Sequence, residues 1–244
     1  MKDVLLFVDP PQPGSWNMAV DEALMQWSAS HGQHALRFYQ WSEPTLSLGY
    51  FQAHQDRQTH AASLRSPWVR RASGGGAIMH DAELTYSYSM PVPQGQAGHN
   101  TELYDAFHGT LIDLLQASGV AAQFAGDDHA QQQQQPFLCF QRRTWADVLV
   151  EGHKIAGSAQ RKQRGALLQH GSVLLRQSTS APELPGLDQW LELSPETLAD
   201  SWQQVIAKTL QLRLIPATLP AEILSQARVI ESEKFASPTW NQRR

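Results

Sequence analysis

Apolar residues recur at three- and four-residue intervals in a few stretches of the chain and alternate with polar residues in others, and these two periods predict its elements. Residues 17–28 (NMAVDEALMQWS) place Met18, Leu24 and Met25 at near-helical spacing, with Ser15 or Asn17 as N-cap. Residues 101–118 repeat the pattern with Leu103, Phe107, Leu111, Leu114 and Leu115, and Gly119 closes that helix. A last helix fits 195–210, and a short helical piece follows from Ala221. Residues 36–51 (LRFYQWSEPTLSLGYF) read as two strands joined by a turn at 42–44. A further strand pair is predicted at PWVRR and LTYSYSM, where Tyr86, Tyr88 and Met90 alternate with small polar residues. WADVLVEG, HKIAGSAQ and LLQHGSVLL then give three short strands separated by glycines. Residues 126–135 end in five glutamines and hold no pattern able to bury a core, so they read as a mobile polar insertion.

This mixture fits one α/β-type domain over residues 1–244, or one domain with a small appendage, with a short C-terminal helical extension from about residue 186. Composition narrows the class. With 41% hydrophobic and 17% charged residues the chain is that of a globular protein, and no apolar run approaches the roughly 20 residues a membrane span needs. The N-terminal apolar stretch Val4 to Val8 is broken by Asp9, Pro10 and Pro11, too early for a signal peptide, so a cytoplasmic protein is expected. A single cysteine forms no intrachain disulfide and stays a thiol in a reducing compartment. A formal net charge of −4 argues against nucleic acid as a partner.

Chemistry concentrates in residues 139–172 (CFQRRTWADVLVEGHKIAGSAQRKQRGALLQHGS), which hold that cysteine, Lys154 among small residues, and His170. A thiolate is a strong nucleophile near neutral pH, and an ammonium beside it favours the charged form. Cys139 alone, among Phe137, Leu138 and Phe140, reads as a buried core filler rather than a nucleophile. Lys154 alters that reading, because a lysine among Ile155, Ala156 and Gly157 is costly to bury without a purpose. Residues 70–81 (RRASGGGAIMHD) carry Gly74, Gly75 and Gly76, whose backbone can approach a ligand closely or simply make a turn. No GKS or GKT follows, so this is not a Walker loop. His80 and Asp81 are candidates for an acid–base pair or for orienting the loop, and His170 for catalysis or for the core. Arg142, Arg143, Lys154, Arg161, Lys162 and Arg164 make a local basic face suited to an acidic partner, or a solvated surface.

Together RRASGGGAIMHDAELTYS, the 139–175 segment, MAVDEAL, RFYQWSEPTLSLGYFQ and the tail EKFASPTWN resemble the lipoate- and biotin-protein ligase superfamily, closest to its cysteine-dependent octanoyltransferases. The resemblance implies an α+β fold, a mixed β-sheet flanked by helices. It implies Cys139 as the residue that takes the octanoyl group from octanoyl-acyl carrier protein, with Lys154 as the second essential group. Substrate binding falls to Arg71, Gly74, Gly75, Gly76, His80, Gly157, Ser158, Ala159, His170 and Gly171. The acceptor would be a lysine of a lipoyl domain, normally the glycine cleavage H protein, with no metal or cofactor. The transferases often carry arginine where this chain has Gly76, a residue more typical of ATP-dependent lipoate ligases. A ligase using ATP and Mg to form an adenylate is therefore the alternative, and a non-enzymatic acyl- or carrier-binding module the third. Many ligases carry an additional C-terminal domain, for which the chain after Leu175 is short.

Overall fold

The structure is a computed structural model that describes residues 1–93, 100–126 and 136–244. The expected glutamine-rich insertion lies outside the described residues except at Gly126. The chain begins with β1 (Lys2–Val8), α1 (Gly14–His31) and β2 (His34–Tyr39), a unit in which β1 and β2 pair in parallel. After β2 come β3 (Thr45–Leu48), β4 (Trp68–Arg70), β5 (Ile78–His80), β6 (Glu83–Pro91), α2 (Thr101–Ala117) and β7 (Ala122–Phe124). The second half holds β8 (Val148–Val150), β9 (His153–Gln163), β10 (Ala166–Leu174), α3 (Pro195–Thr209), β11 (Leu212–Pro216), α4 (Ala221–Ile230) and α5 (Pro238–Asn241).

Eight strands form one mixed sheet in the order β11-β1-β2-β6-β10-β9-β8-β7, and β4-β3-β5 form a second, small sheet. Side-chain alternation divides the large sheet between two cores. Leu36 and Phe38 of β2 meet Phe107, Leu111 and Leu115 of α2 and Leu198, Trp202 and Ile206 of α3. Ala35 and Tyr39 point the other way, into a core shared with α1, α4 and Phe235. This mixed sheet flanked by helices is the architecture the resemblance implies. No helix among the described residues is long and apolar enough to cross a membrane.

The predicted strands are found, but their partners differ. The turn at 42–44 joins strands of different sheets, because β2 pairs with β1 and β6 whereas β3 pairs with β4 and β5. Likewise β4 and β6 never pair. Helix α1 starts at Gly14 without a side-chain cap; Asn17 donates instead to the Gln12 and Gln40 carbonyls at 3.1 and 3.0 Å. Helix α2 behaves as predicted, with Asn100 capping the Leu103 N–H at 3.1 Å and Gly119 at φ 84° beyond its end. The C-terminal segment is not purely helical, since β11 pairs in parallel with β1 and completes the large sheet's edge. LRLIP is too short and too half-exposed to show a strand's alternation clearly.

Two hairpins position the site. β8–β9 turns at Glu151 and Gly152 (φ 47° and 81°), and β9–β10 at Arg164 and Gly165 (φ 48° and 86°), two-residue turns whose left-handed backbone matches the strand twist. They fix register, so Lys154, Ser158 and His170 take defined places on adjacent strands.

Trp202 is fully buried, donates to Thr110 Oγ1 at 2.9 Å and packs on Phe38 and Tyr86 at ring distances of 5.7 and 5.0 Å. Trp202→Ala should cost about 3–5 kcal/mol in denaturant unfolding. A loss below about 1 kcal/mol would show that α3 is not part of the core described here.

Candidate active site

The glycine loop is built by a buried arginine. Arg71, just after β4, sends Nη1 to the Ser47 carbonyl and hydroxyl, both at 3.1 Å, and Nη2 to the Gly74 and Gly76 carbonyls, both at 2.7 Å. Burial draws its pKa down to about 10, with Cys139 pulling it up and Arg142 pushing it down, so the guanidinium stays charged at neutral pH. Gly75 has φ +95°, and its carbonyl comes so near Gly49 that a Cβ there would sit 2.0 Å away. A Cβ at Gly76 would lie 2.9 Å from the Arg142 guanidinium and 3.0 Å from the Cys139 nitrogen. A side chain at position 76 would therefore press on the Cys139 backbone and have to move the Arg142 guanidinium aside. That gives the residue a steric reason independent of any nucleotide.

The C-terminal tail fixes the loop's entry. Asn241 Oδ1 accepts the Arg70 N–H at 2.8 Å, Arg70 Nε donates to the Asn241 carbonyl at 3.0 Å, and the Trp240 indole donates to the Arg70 carbonyl at 2.7 Å. The loop's exit is tied to the cysteine. Ala77 N–H donates to the Phe137 carbonyl at 3.0 Å and Cys139 N–H to the Ala77 carbonyl at 2.7 Å. Leu138 and Phe140 are buried in the core beneath the small sheet, whereas Cys139 between them is only half-buried. The apolar neighbours anchor the segment and leave the thiol available, which sets the core-filler reading aside.

Lys154 Nζ lies 3.9 Å from Cys139 Sγ and 3.4 Å from the Cys139 carbonyl. The same nitrogen pairs with Asp147 Oδ2 at 2.8 Å, both side chains being almost fully buried. Asp147, which the sequence reading did not single out, also accepts the Thr144 N–H at 2.7 Å. A buried lysine left alone would carry a large desolvation cost; paired with Asp147 it is neutralised while a further N–H faces the thiol. Gly157 makes room, because a Cβ there would lie 2.6 Å from Lys154 Cε.

One cavity of about 480 Å³ collects these groups. Arg71, Gly74, Gly75, His80, Cys139, Lys154, Gly157, Ser158, Ala159, His170 and Gly171 all line it, together with Asp147. Gly76 does not reach the cavity wall and sits behind it, against Arg142. Met18, Tyr39, Ile78 and Phe140 contribute apolar wall. Of the basic face read in the sequence, Arg161 and Lys162 reach the cavity as Lys154 does, while Arg143 donates to the Gly152 carbonyl and Arg164 occupies a hairpin tip.

The histidines orient. His80 joins Glu83 Oε1 at 2.7 Å and Ser47 Oγ at 2.7 Å and stacks on Trp41 at 3.8 Å, so its carboxylate partner is Glu83 and the His80–Asp81 pair is not formed. Burial outweighs the Glu83 charge and lowers its pKa, which leaves a neutral ring linking Glu83, Ser47 and Arg71. His170 Nε2 meets Ser73 Oγ at 2.5 Å, and Nδ1 lies 3.5 Å from Asp21 Oδ2. Asp21 is buried, which alone would raise its pKa, but the His170 hydrogen bond and the Arg37 charge hold it below the usual value. Ser158 Oγ meets Tyr86 Oη at 2.8 Å and His108 Nε2 at 2.6 Å, closing the floor between β9 and α2. Among the described residues no cluster of three or more His, Cys, Asp or Glu side chains could hold a metal ion.

Residues 13–192 match the sequence model of the lipoyl protein ligase A/B catalytic domain, a span that holds every group of the cavity wall named above. The chain belongs to that family. An octanoyltransferase LipM of Lysinibacillus sphaericus is 34% identical, covering 93% of this chain and 94% of its own length. One of Kyrpidia tusciae is 35% identical, over 94% of this chain and 95% of the relative. The protein is thus an acyltransferase of the lipoyl ligase family, as its motifs led us to expect. The structure of Ta0514 from T. acidophilum with bound lipoic acid superposes with a TM-score of 0.80 at 20% identity, covering 99% of this chain and 100% of that one, and shares the fold.

In Gly157→Ala the added methyl has to displace the Lys154 side chain. We expect a protein that still unfolds cooperatively but acylates Cys139 at least about tenfold more slowly. Unchanged acylation would mean that the Lys154 placement is not needed. Asp147→Asn should likewise slow acylation, and more than it lowers the unfolding midpoint would explain; an undiminished rate would remove Asp147 from the site's chemistry.

Proposed function

We propose that this protein is an octanoyltransferase that moves an octanoyl group from acyl carrier protein, through a thioester on Cys139, to a lysine of a lipoyl-domain acceptor such as glycine cleavage H protein. The observation that carries this reading is the Lys154 ammonium, held by Asp147 and directed at the only thiol of the chain inside an acyl-sized cavity. The identities with octanoyltransferases support it over nearly the whole length.

In the first step Cys139 Sγ attacks the thioester carbonyl, the bond from that carbon to the carrier sulfur breaks, and the carrier thiol leaves with a proton. One thioester replaces another at little net cost, and a hard transfer is split in two. In the second step the neutral acceptor amine attacks acyl-Cys139, the carbon–sulfur bond breaks, and the amine's proton returns to sulfur through Lys154. Amide formation makes this step downhill. The backbone N–H groups of Gly74 and Gly75, which line the cavity, are candidate donors to the tetrahedral oxyanion, an effect worth roughly 3–4 kcal/mol for a well-placed donor. The chain needs no ATP or Mg in this scheme.

Intact-mass analysis after mixing the protein with octanoyl-acyl carrier protein, without ATP, should show an octanoyl adduct that hydroxylamine removes. Cys139→Ala should show none, and Lys154→Ala should form it about 100-fold more slowly or worse. Transfer that requires ATP and free octanoate, undiminished in Cys139→Ala, would replace the transferase by a lipoate-type ligase.

A further inference from the structure

Along the cavity wall from Cys139, Tyr50 and Arg161 meet three residues near the end of the chain. The guanidinium of Arg243 lies 4.5 Å from the Tyr50 ring centre and 4.7 Å from that of Trp240. Arg161 and Arg244 stand 5.5 and 5.6 Å from the same Tyr50 ring, and Arg244 lies 5.3 Å from the Phe51 ring. Lys162 also lines the cavity, and Phe51 is 70% exposed. Among the described residues none of these four cations is paired with an Asp or Glu side chain. Arg243 and Arg244 crowd Arg70 as well; burial lowers its pKa first and their charges lower it further. Arg161 Nε is buried without a hydrogen-bond partner.

Gathering like charges without counter-charges is unfavourable, and a chain of net charge −4 has carboxylates enough to relieve it elsewhere. Aromatic rings hold the guanidiniums in place, which lowers the ordering cost of a contact made through them. An exposed Phe beside a half-buried Tyr among arginines is also the composition of protein-interface centres. Four of these residues, Tyr50, Phe51, Arg161 and Lys162, line the cavity themselves, so whatever docks here delivers its cargo to the thiol.

We propose that the face formed by Tyr50, Phe51, Arg161, Lys162, Arg243 and Arg244 is the docking surface for an acidic acyl carrier protein that presents the thioester to Cys139. This rests on the transferase reading given above. The surface differs from the basic stretch read in the sequence: Arg143 and Arg164 take no part, and the two C-terminal arginines replace them. Carboxylates of the carrier would neutralise the three guanidiniums, and the Phe51 ring would be covered.

The test is single-turnover acylation of Cys139 by octanoyl-acyl carrier protein and by a small neutral octanoyl thioester, in wild type, Arg243→Glu/Arg244→Glu and Arg243→Gln/Arg244→Gln. We expect the Glu pair to slow acylation from the carrier about tenfold or more at low salt, the Gln pair less, and neither to change acylation by the small thioester. Added salt should slow the wild type with the carrier and narrow the difference. The small thioester also reports folding, so equal losses with both donors overturn the proposal. Unchanged carrier kinetics overturn it too, including the case where only transfer onward to a lipoyl domain slows, which would make this the acceptor's surface. If wild type forms no adduct with either donor, the transferase reading fails and the docking proposal falls with it.

Discussion

A positive charge inside a protein has to be neutralised where it stands, and the arrangement around Lys154 follows from that requirement. Asp147 supplies the counter-charge at 2.8 Å, in a pair nearly closed to solvent. An isolated buried ammonium would cost several kcal/mol, and a buried pair of this kind is seldom a net source of stability. Its value lies in position. With Asp147 on one side, the ammonium faces Cys139 on another, and it occupies space that a side chain at residue 157 would take.

The site lies where two sheets meet. The large sheet contributes Lys154, Ser158 and His170 from two adjacent strands whose register is set by two-residue turns. The small sheet contributes the glycine loop through Arg71, and one short parallel bridge from Ala77 to Leu138 joins that loop to the cysteine segment. Buried polar groups brace both sides. Arg37 is held by Asp9 and Asp21 at 2.7 and 2.9 Å, and Asp21 in turn faces His170, while Glu83 accepts from His80, Thr85 and Ser172. Such networks are costly when half satisfied, so they hold the reacting groups in one arrangement.

Much of this was legible in the sequence because it is local. Helix α2, the strands of the 148–174 segment and the glycine loop announce themselves within a few residues, and Cys139 and Lys154 within one short segment. What failed was pairing at a distance. Hydrophobic alternation marks β2, β3, β4 and β6 as strands but says nothing of which sheet each joins. The fold-level resemblance could supply that architecture, not the individual partners. Nothing in WADVLV marks Asp147 beyond its place in a short strand; only the folded register brings it to Lys154. Gly76 reads against its family as a sign of nucleotide chemistry, yet the groups packed closest to it are the Arg142 guanidinium and the Cys139 nitrogen, more than 60 residues on in the chain and adjacent only in space. The tail motif EKFASPTWN had no visible role until Trp240 and Asn241 were seen to clamp Arg70.

The central claim is that the Lys154 ammonium holds Cys139 ready as a nucleophile. The most direct measurement is the rate at which iodoacetamide alkylates Cys139 near neutral pH, with no carrier or acceptor present, in wild type and in Lys154→Met, which keeps the side-chain length without the charge. The account predicts that alkylation slows about tenfold or more in the variant, which keeps the circular dichroism of the folded protein at the assay temperature although its unfolding midpoint falls because Asp147 loses its buried counter-charge. Equal alkylation rates in two folded proteins would contradict it, and would reduce Lys154 to a structural partner of Asp147.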